Sequence, residues 1–265
     1  MARALSLASN QESRNTVQEV IRTSLRNSLK NSALKVMFYL LDNGADVNII
    51  NPVWLFSDDE PIARPSLEAI KMLVAHGWDI DARRDRISLP LLWCVVEYPD
   101  LVEWCLDHGA RVYLPGDTPP RDANDIDQTP RISLLESAAG RASVPTFKLL
   151  GEKGAPFHRG VLHAAVESAV KYAPTLNSSS SPSATDPRFN ERMAMILYPV
   201  DESGIDVNAE WWRAGKSGAT PLDRVSSCNN KNKDVRDPLE QTSNTCFLEA
   251  VRVWQERQHN NMNTT

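Results

Sequence analysis

The chain is 265 residues long, with 42% hydrophobic and 24% charged residues and a formal net charge of −5. This is enough apolar material for one large or two ordinary domains, and the acidic balance argues against nonspecific binding to nucleic acid or anionic membrane. No apolar run reaches the ~18 residues of a membrane span, the N-terminus lacks a continuous signal-peptide core, and Cys94, Cys105, Cys228 and Cys246 form no CxxC pair, so a soluble intracellular protein with reduced thiols is expected.

Residues 1–15 read as a disordered tail. Thr16 followed by Glu19 is a capping-box pattern, and Val17, Val20, Ile21, Leu25 and Leu29 share one helical face, which predicts a helix over 17–30. The next helix ends in "LLDNGADVN" at 40–48, and similar stretches return as "LVAHGWDID", "CLDHGARVY", "LGEKGAPFH" and "VDESGIDVN". Their glycines, Gly44, Gly77, Gly109, Gly154 and Gly204, are separated by 33, 32, 45 and 50 residues. A fixed period of this kind is the signature of a repeat architecture, here with insertions in the later units. Each glycine follows apolar residues at helical spacing and suits a left-handed helix end. Three residues after it stands Val47, Ile80, Val112, Phe157 or Val207, an apolar side chain expected to be buried as the chain leaves in an extended path.

A second element precedes each of these helices. "GATPLDRV" offers Thr220 as N-cap and Pro221 at the first helical position, where a missing N–H costs nothing. "NPVWLF", "LPLLWCVV", "SLLESAAG" and "GVLHAAVE" are degraded copies. Ser133 lies 21 residues before Gly154, which leaves room for a helix, a tight turn and an antiparallel second helix. The final helix, 246–258, sets Phe247, Val251 and Trp254 on one face and Glu249, Arg252 and Glu256 on the other, as a terminal capping unit requires.

These motifs resemble the ankyrin repeat family, whose unit of about 33 residues reads TPLHxAA, a second helix, then LLxxGAxxN. "LLDNGADVN", "GVLHAAV" and "GATPLD" carry the resemblance best, and it extends over roughly residues 23–258. It implies an all-α solenoid of about six stacked antiparallel helix pairs with short hairpin or loop fingers, spanning 16–258. Insertions are expected near 114–131, 174–188 and 229–243, and a disordered tail over 259–265. In this family, finger tips and the exposed side of each first helix line a concave groove that holds partner proteins.

The search for reaction chemistry finds no G-x-S-x-G, no Gly-rich phosphate loop, no H-E-x-x-H and no metal-ligand cluster, so no catalytic residue, cofactor or metal is assigned. His163 occupies the TPLH position, where the resemblance implies structural hydrogen bonds. His76 and His108 precede anchor glycines near helix C-termini, where positive charge is welcome. Cys94 and Cys105 read as small buried hydrophobes rather than a redox or metal pair. Aromatics and arginines are the usual anchors of binding surfaces. The partner-binding candidates are therefore Trp211 and Trp212, in the finger before the last unit, with Arg83, Arg84, Tyr113, Phe157 and Arg159 at equivalent finger positions. The expected function is a non-catalytic interaction scaffold or adaptor, monomeric, cytoplasmic or nuclear, that binds another protein and touches neither nucleic acid nor membrane. The alternatives are a transcription co-regulator acting through a DNA-binding partner, and a small-molecule binder or enzyme formed by the insertions.

Overall fold

The computed structural model describes residues 17–56, 64–83, 88–113, 132–158, 160–171 and 187–203, with Gly218 and Thr220. The sixth repeat apart from Gly218 and Thr220, Gly204, both terminal tails, Thr16 and the bulk of the three insertions lie outside the described residues. Among the described residues the regular structure is all helical. The chain divides into two compact units, Met1–Arg111 and Val112–Thr265.

Unit 1 opens with α1, residues 17–30. The expected apolar face is buried only in its second half. Leu25 and Leu29 are sealed, while Val17 and Val20 are 57% and 60% exposed. The Ser28 hydroxyl donates to the Leu25 carbonyl at 2.8 Å. α2 (Leu34–Asp42) follows after a tight turn, then the 3₁₀ turns Val47–Ile49 and Pro52–Leu55, α3 (Leu67–Ala75), α4 (Leu91–Cys94) and α5 (Pro99–Asp107). Within this unit α2 packs on α3, and α4 on the Pro52–Leu55 turn.

The elements expected as the first helices of the second and third repeats are thus single turns rather than full helices. At Pro52–Leu55 the Asn51 side chain caps the Val53 N–H at 3.1 Å, and Pro52 supplies the preset dihedral of a first helical position. Downstream of α4, Tyr98 precedes Pro99, and a residue before proline is pushed out of the helical region. Tyr98 accordingly sits at φ −115°, ψ 93°. α4 has already ended at Cys94, and Pro99 starts α5.

Unit 2 contains α6 (Leu134–Arg141), α7 (Val144–Glu152), α8 (Gly160–Lys171) and α9 (Pro187–Ser203). Ser133 and Glu136 form a reciprocal capping box, with Ser133 Oγ accepting from the Glu136 N–H at 3.1 Å and Glu136 Oε2 from the Ser133 N–H at 3.4 Å. Only Ala142 and Ser143 separate α6 from α7 and the two helices touch, so the chain doubles back. α8 packs on α6 and α9, and α7 on α9. Small residues permit the α6–α8 approach. Ala138, Ala139 and Ala165 are fully buried, and the Ser168 hydroxyl reaches the Gly140 carbonyl at 2.7 Å. α9 opens at Pro187, inside the end of the expected 174–188 insertion, and carries Pro199 within it. That proline forgoes one helical hydrogen bond, but Met195, Ile196 and Val200 around it are buried.

Candidate functional site

The anchor glycines organise the region that faces a partner in the repeat reading. Gly44, Gly77, Gly109 and Gly154 have φ of 83°, 88°, 89° and 91°, the left-handed conformation that side chains with a Cβ resist. Each closes its helix with the same two backbone bonds. Gly44, Gly77, Gly109 and Gly154 donate to the carbonyls of Leu41, Val74, Leu106 and Gly151, and the residues after them donate to Leu40, Leu73, Cys105 and Leu150, all at 2.9–3.2 Å. This double closure satisfies carbonyls that a helix end leaves open. The four helices it ends, α2, α3, α5 and α7, are each nine residues long. Seven residues before each glycine stands a side chain at most 1% exposed: Met37, Ile70, Val102 or Phe147. α1 ends with the same two bonds, from Ser32 to Leu29 and from Ala33 to Ser28, around a serine at φ 50°.

After the glycines the chain does not simply leave extended. The Asp46 side chain accepts the Asn48 N–H at 2.9 Å and folds 47–49 into a 3₁₀ turn. Asp79 likewise accepts the Asp81 N–H at 3.0 Å. Of the apolar residues three positions beyond, Val47 and Ile80 are buried, Val112 is half-buried, and Phe157 is 38% exposed. Phe157 instead sets its edge on Phe147, with ring centroids 5.6 Å apart.

Successive loops of unit 1 are tied to one another. Trp78, 3% exposed, donates its indole N–H to the Ile50 carbonyl at 3.4 Å. One loop further, Asp81 accepts the Arg111 N–H at 3.0 Å and pairs with Arg111 Nε at 3.5 Å. Burial pushes the Asp81 carboxyl above its ordinary value, against the lowering effect of the Arg111 N–H, and the neighbouring Asp79 adds to the rise. Closer to the helices, the Arg26 guanidinium lies over Trp54 at 5.6 Å. Arg64 lies over Tyr98 at 5.7 Å and pairs with Asp100.

Of the sequence candidates, Arg83 is half-buried in this loop row, and Tyr113, two residues after Arg111, is 40% exposed. Arg84, Arg159, Trp211 and Trp212 lie outside the described residues. Sequence reasoning missed Asp81 and Arg111, whose pairing joins residues 30 apart. It also missed the Asp46 and Asp79 turns, although an Asp two positions after a helix-ending glycine is itself a turn signal.

The remaining polar candidates are placed in the helices. His76 and His108 each stand at a helix C-terminus with Nδ1 2.8 Å from a carbonyl four residues back, Met72 and Trp104. Nδ1 therefore carries the proton. His163 is 2% exposed within α8. Burial holds the His158 imidazole below its usual value. Neither Cys94 nor Cys105 is in a disulfide. Burial, and secondarily the Asp81 charge, pushes the Cys105 thiol up to about 12, which leaves no reactive thiolate near neutral pH. Among the described residues no group of three His, Cys, Asp or Glu side chains is placed to hold a metal ion, and no helix is long and apolar enough to cross a membrane. No protein-family model matches the chain, and no curated protein matches it.

Proposed function

We propose that this chain is an ankyrin-type repeat protein and that it works as a non-catalytic adaptor, binding another protein through its inter-helix loops and the exposed side of its first helices. The observation that carries the reading is the fourfold recurrence of one helix end, with the same length, left-handed glycine and pair of closing bonds. The pairing pattern supports it too. In unit 2, first helix meets first helix (α6 and α8) and second meets second (α7 and α9), and unit 1 repeats this with α4 on the Pro52–Leu55 turn and α2 on α3. Fixed loops present side chains at little entropic cost on binding, and the Trp78 and Asp81 ties supply that fixity in unit 1. On this reading the chain acts as a monomer in the cytoplasm or nucleus and meets nucleic acid only through a partner.

The test is quantitative affinity capture from native extract, comparing wild type with Arg83→Ala/Tyr113→Ala and with Trp211→Ala/Trp212→Ala, each first checked for unchanged helical circular dichroism. One saturable partner, weakened roughly tenfold or more by either double variant, is the expected result for hot-spot residues. Equal recovery by all three proteins removes the interface assignment.

A further inference from the structure

α9 joins unit 2 through a face of mixed quality. Among the described residues, Met195, Ile196 and Val200 are its sealed apolar side chains. Arg192 stands three and four positions before Met195 and Ile196, hence on the same face, and is itself only 8% exposed. Nη2 of its guanidinium donates to the Arg141 carbonyl at 3.2 Å, at the C-terminus of α6, where the helix dipole offsets part of the charge. Nη1 is sealed from solvent and has no hydrogen-bond partner. Arginine stays protonated at every physiological pH, so the packed face of α9 carries a permanent cation that is only partly satisfied. A buried donor left unmade is a cost of the closed state, and opening to water removes it.

One further turn beyond Ile196, the same helix holds a second defect. Pro199 lies inside α9 and has no N–H to give the Met195 carbonyl four residues back. α8 shows the contrast. It contains no proline, its buried face is built from Val161, Leu162, Ala165, Val166 and Ala169, and its Ser168 hydroxyl is matched to the Gly140 carbonyl at 2.7 Å. α6 packs on both α7 and α8, so those three helices form a body that does not need α9 to connect it.

Both defects burden the closed position of α9, and neither burdens α6, α7 or α8. The elements that open ahead of the whole fold are those with the weakest hold on it. We propose that α9 is a detachable strap, which leaves α7 and α8 as one unit while α6, α7 and α8 stay folded. Its opening uncovers the side of α8 on which it packs. It also withdraws Tyr198 from Phe147, where the rings now meet edge-on at 5.9 Å, and from the Lys148 ammonium, 4.5 Å from the Tyr198 centroid. Phe147 carries Phe157 as well, so the strap acts on the loop that follows α7.

This inference is independent of the partner-binding reading. The test is native-state hydrogen exchange of the full chain at rising, sub-denaturing urea, resolved by helix. In wild type the α9 amides should exchange through an opening roughly tenfold or more as frequent as that of α6 and α8, with a weaker urea dependence because less surface is exposed. Arg192→Met puts an unbranched apolar side chain in place of the cation, and Pro199→Ala restores the missing N–H. Each should slow α9 exchange by roughly tenfold, the expected scale for one unmade buried bond. If Arg192→Met does not fold, Pro199→Ala carries this arm alone. Wild-type α9 amides that exchange at the rate and urea dependence of α6 and α8 overturn the proposal. So does the absence of any slowing in the folded variants.

Discussion

In unit 1 the nine-residue helices α3 and α5 are preceded by single turns, at Pro52–Leu55 and Leu91–Cys94. In unit 2 the helices α7 and α9 are preceded by the longer helices α6 and α8. The two units fill their interiors differently as a result. Where the first helix is short, large side chains occupy the space, and Trp54, Trp78 and Trp93 are 9%, 3% and 3% exposed. Where it is complete, alanines and Gly140 let α6 and α8 come close. The recurring feature is the second helix with its glycine end. The first helix is adjustable, provided that its volume is replaced and its loops are anchored.

The comparison breaks first at the residues that fill each core. Phe147 is 1% exposed and meets Phe157 and Tyr198 edge-on, with centroids 5.6 and 5.9 Å away. Phe147→Ala should cost roughly 3–5 kcal/mol, seen as faster hydrogen exchange in the amides of α7 and α9. Retained protection there would mean that helix-on-helix contact, not this aromatic cluster, holds unit 2. In unit 1, Trp78→Phe removes the indole N–H that reaches Ile50 and part of the buried volume. A loss of roughly 1–2 kcal/mol is expected, measured as a lower urea midpoint with unchanged slope. A midpoint that does not move would show that this loop tie is dispensable.

The shared helix end should respond with opposite signs at two positions. Nothing lies within 4 Å of a Cβ built on Gly154, so Gly154→Ala meets no clash and its cost is backbone strain alone, about 1 kcal/mol. Ser32 already bears that strain at φ 50°. Ser32→Gly should therefore raise stability, by about 0.5 kcal/mol after the added freedom of the unfolded chain is subtracted. Both are read from chemical denaturation midpoints. If the two changes act with the same sign, left-handed strain is not what distinguishes these turns.

How much could be read beforehand follows the range of each interaction. The glycine ends were legible because their cause is local: one residue without a Cβ, after apolar side chains at helical spacing. The 17–30 helix was legible for the same reason, but the exposure of Val17 and Val20 was not, since burial depends on what arrives from elsewhere in the chain. The shortened first helices were half-legible. "LLWCVV" alone is compatible with several turns of helix, and nothing in it marks the end of α4 at Cys94. Arg192 gave no signal, because a lone arginine on an amphipathic helix reads as solvated until the α6 terminus is placed against it. Asp81 and Arg111 were hidden in a similar way, each looking like an ordinary loop charge.

Asp81 also provides the finest test of how unit 1 anchors its loops. Its folded-state acidity is weaker than that of a free aspartate, chiefly because it is half-buried. The native state therefore holds this proton more tightly than the unfolded chain. For such a group the favourable contribution is complete below the unfolded value and is lost as pH rises through the raised folded value. At neutral pH the charged carboxylate is thus a small net burden, offset in part by Arg111. Asp81→Asn keeps an oxygen for the Arg111 N–H and removes the charge, so it should match or slightly exceed wild type at pH 7, within about 1 kcal/mol. That difference should shrink as pH falls towards the ordinary aspartate range. Asp81→Ala discards the acceptor as well and should lose about 1 kcal/mol at pH 7. Paired denaturation curves at pH 4 and pH 7 measure both effects. If Asp81→Asn were as damaging as Asp81→Ala at pH 7, the ion pair with Arg111, rather than the hydrogen bond to its backbone, would be what joins the second loop to the third.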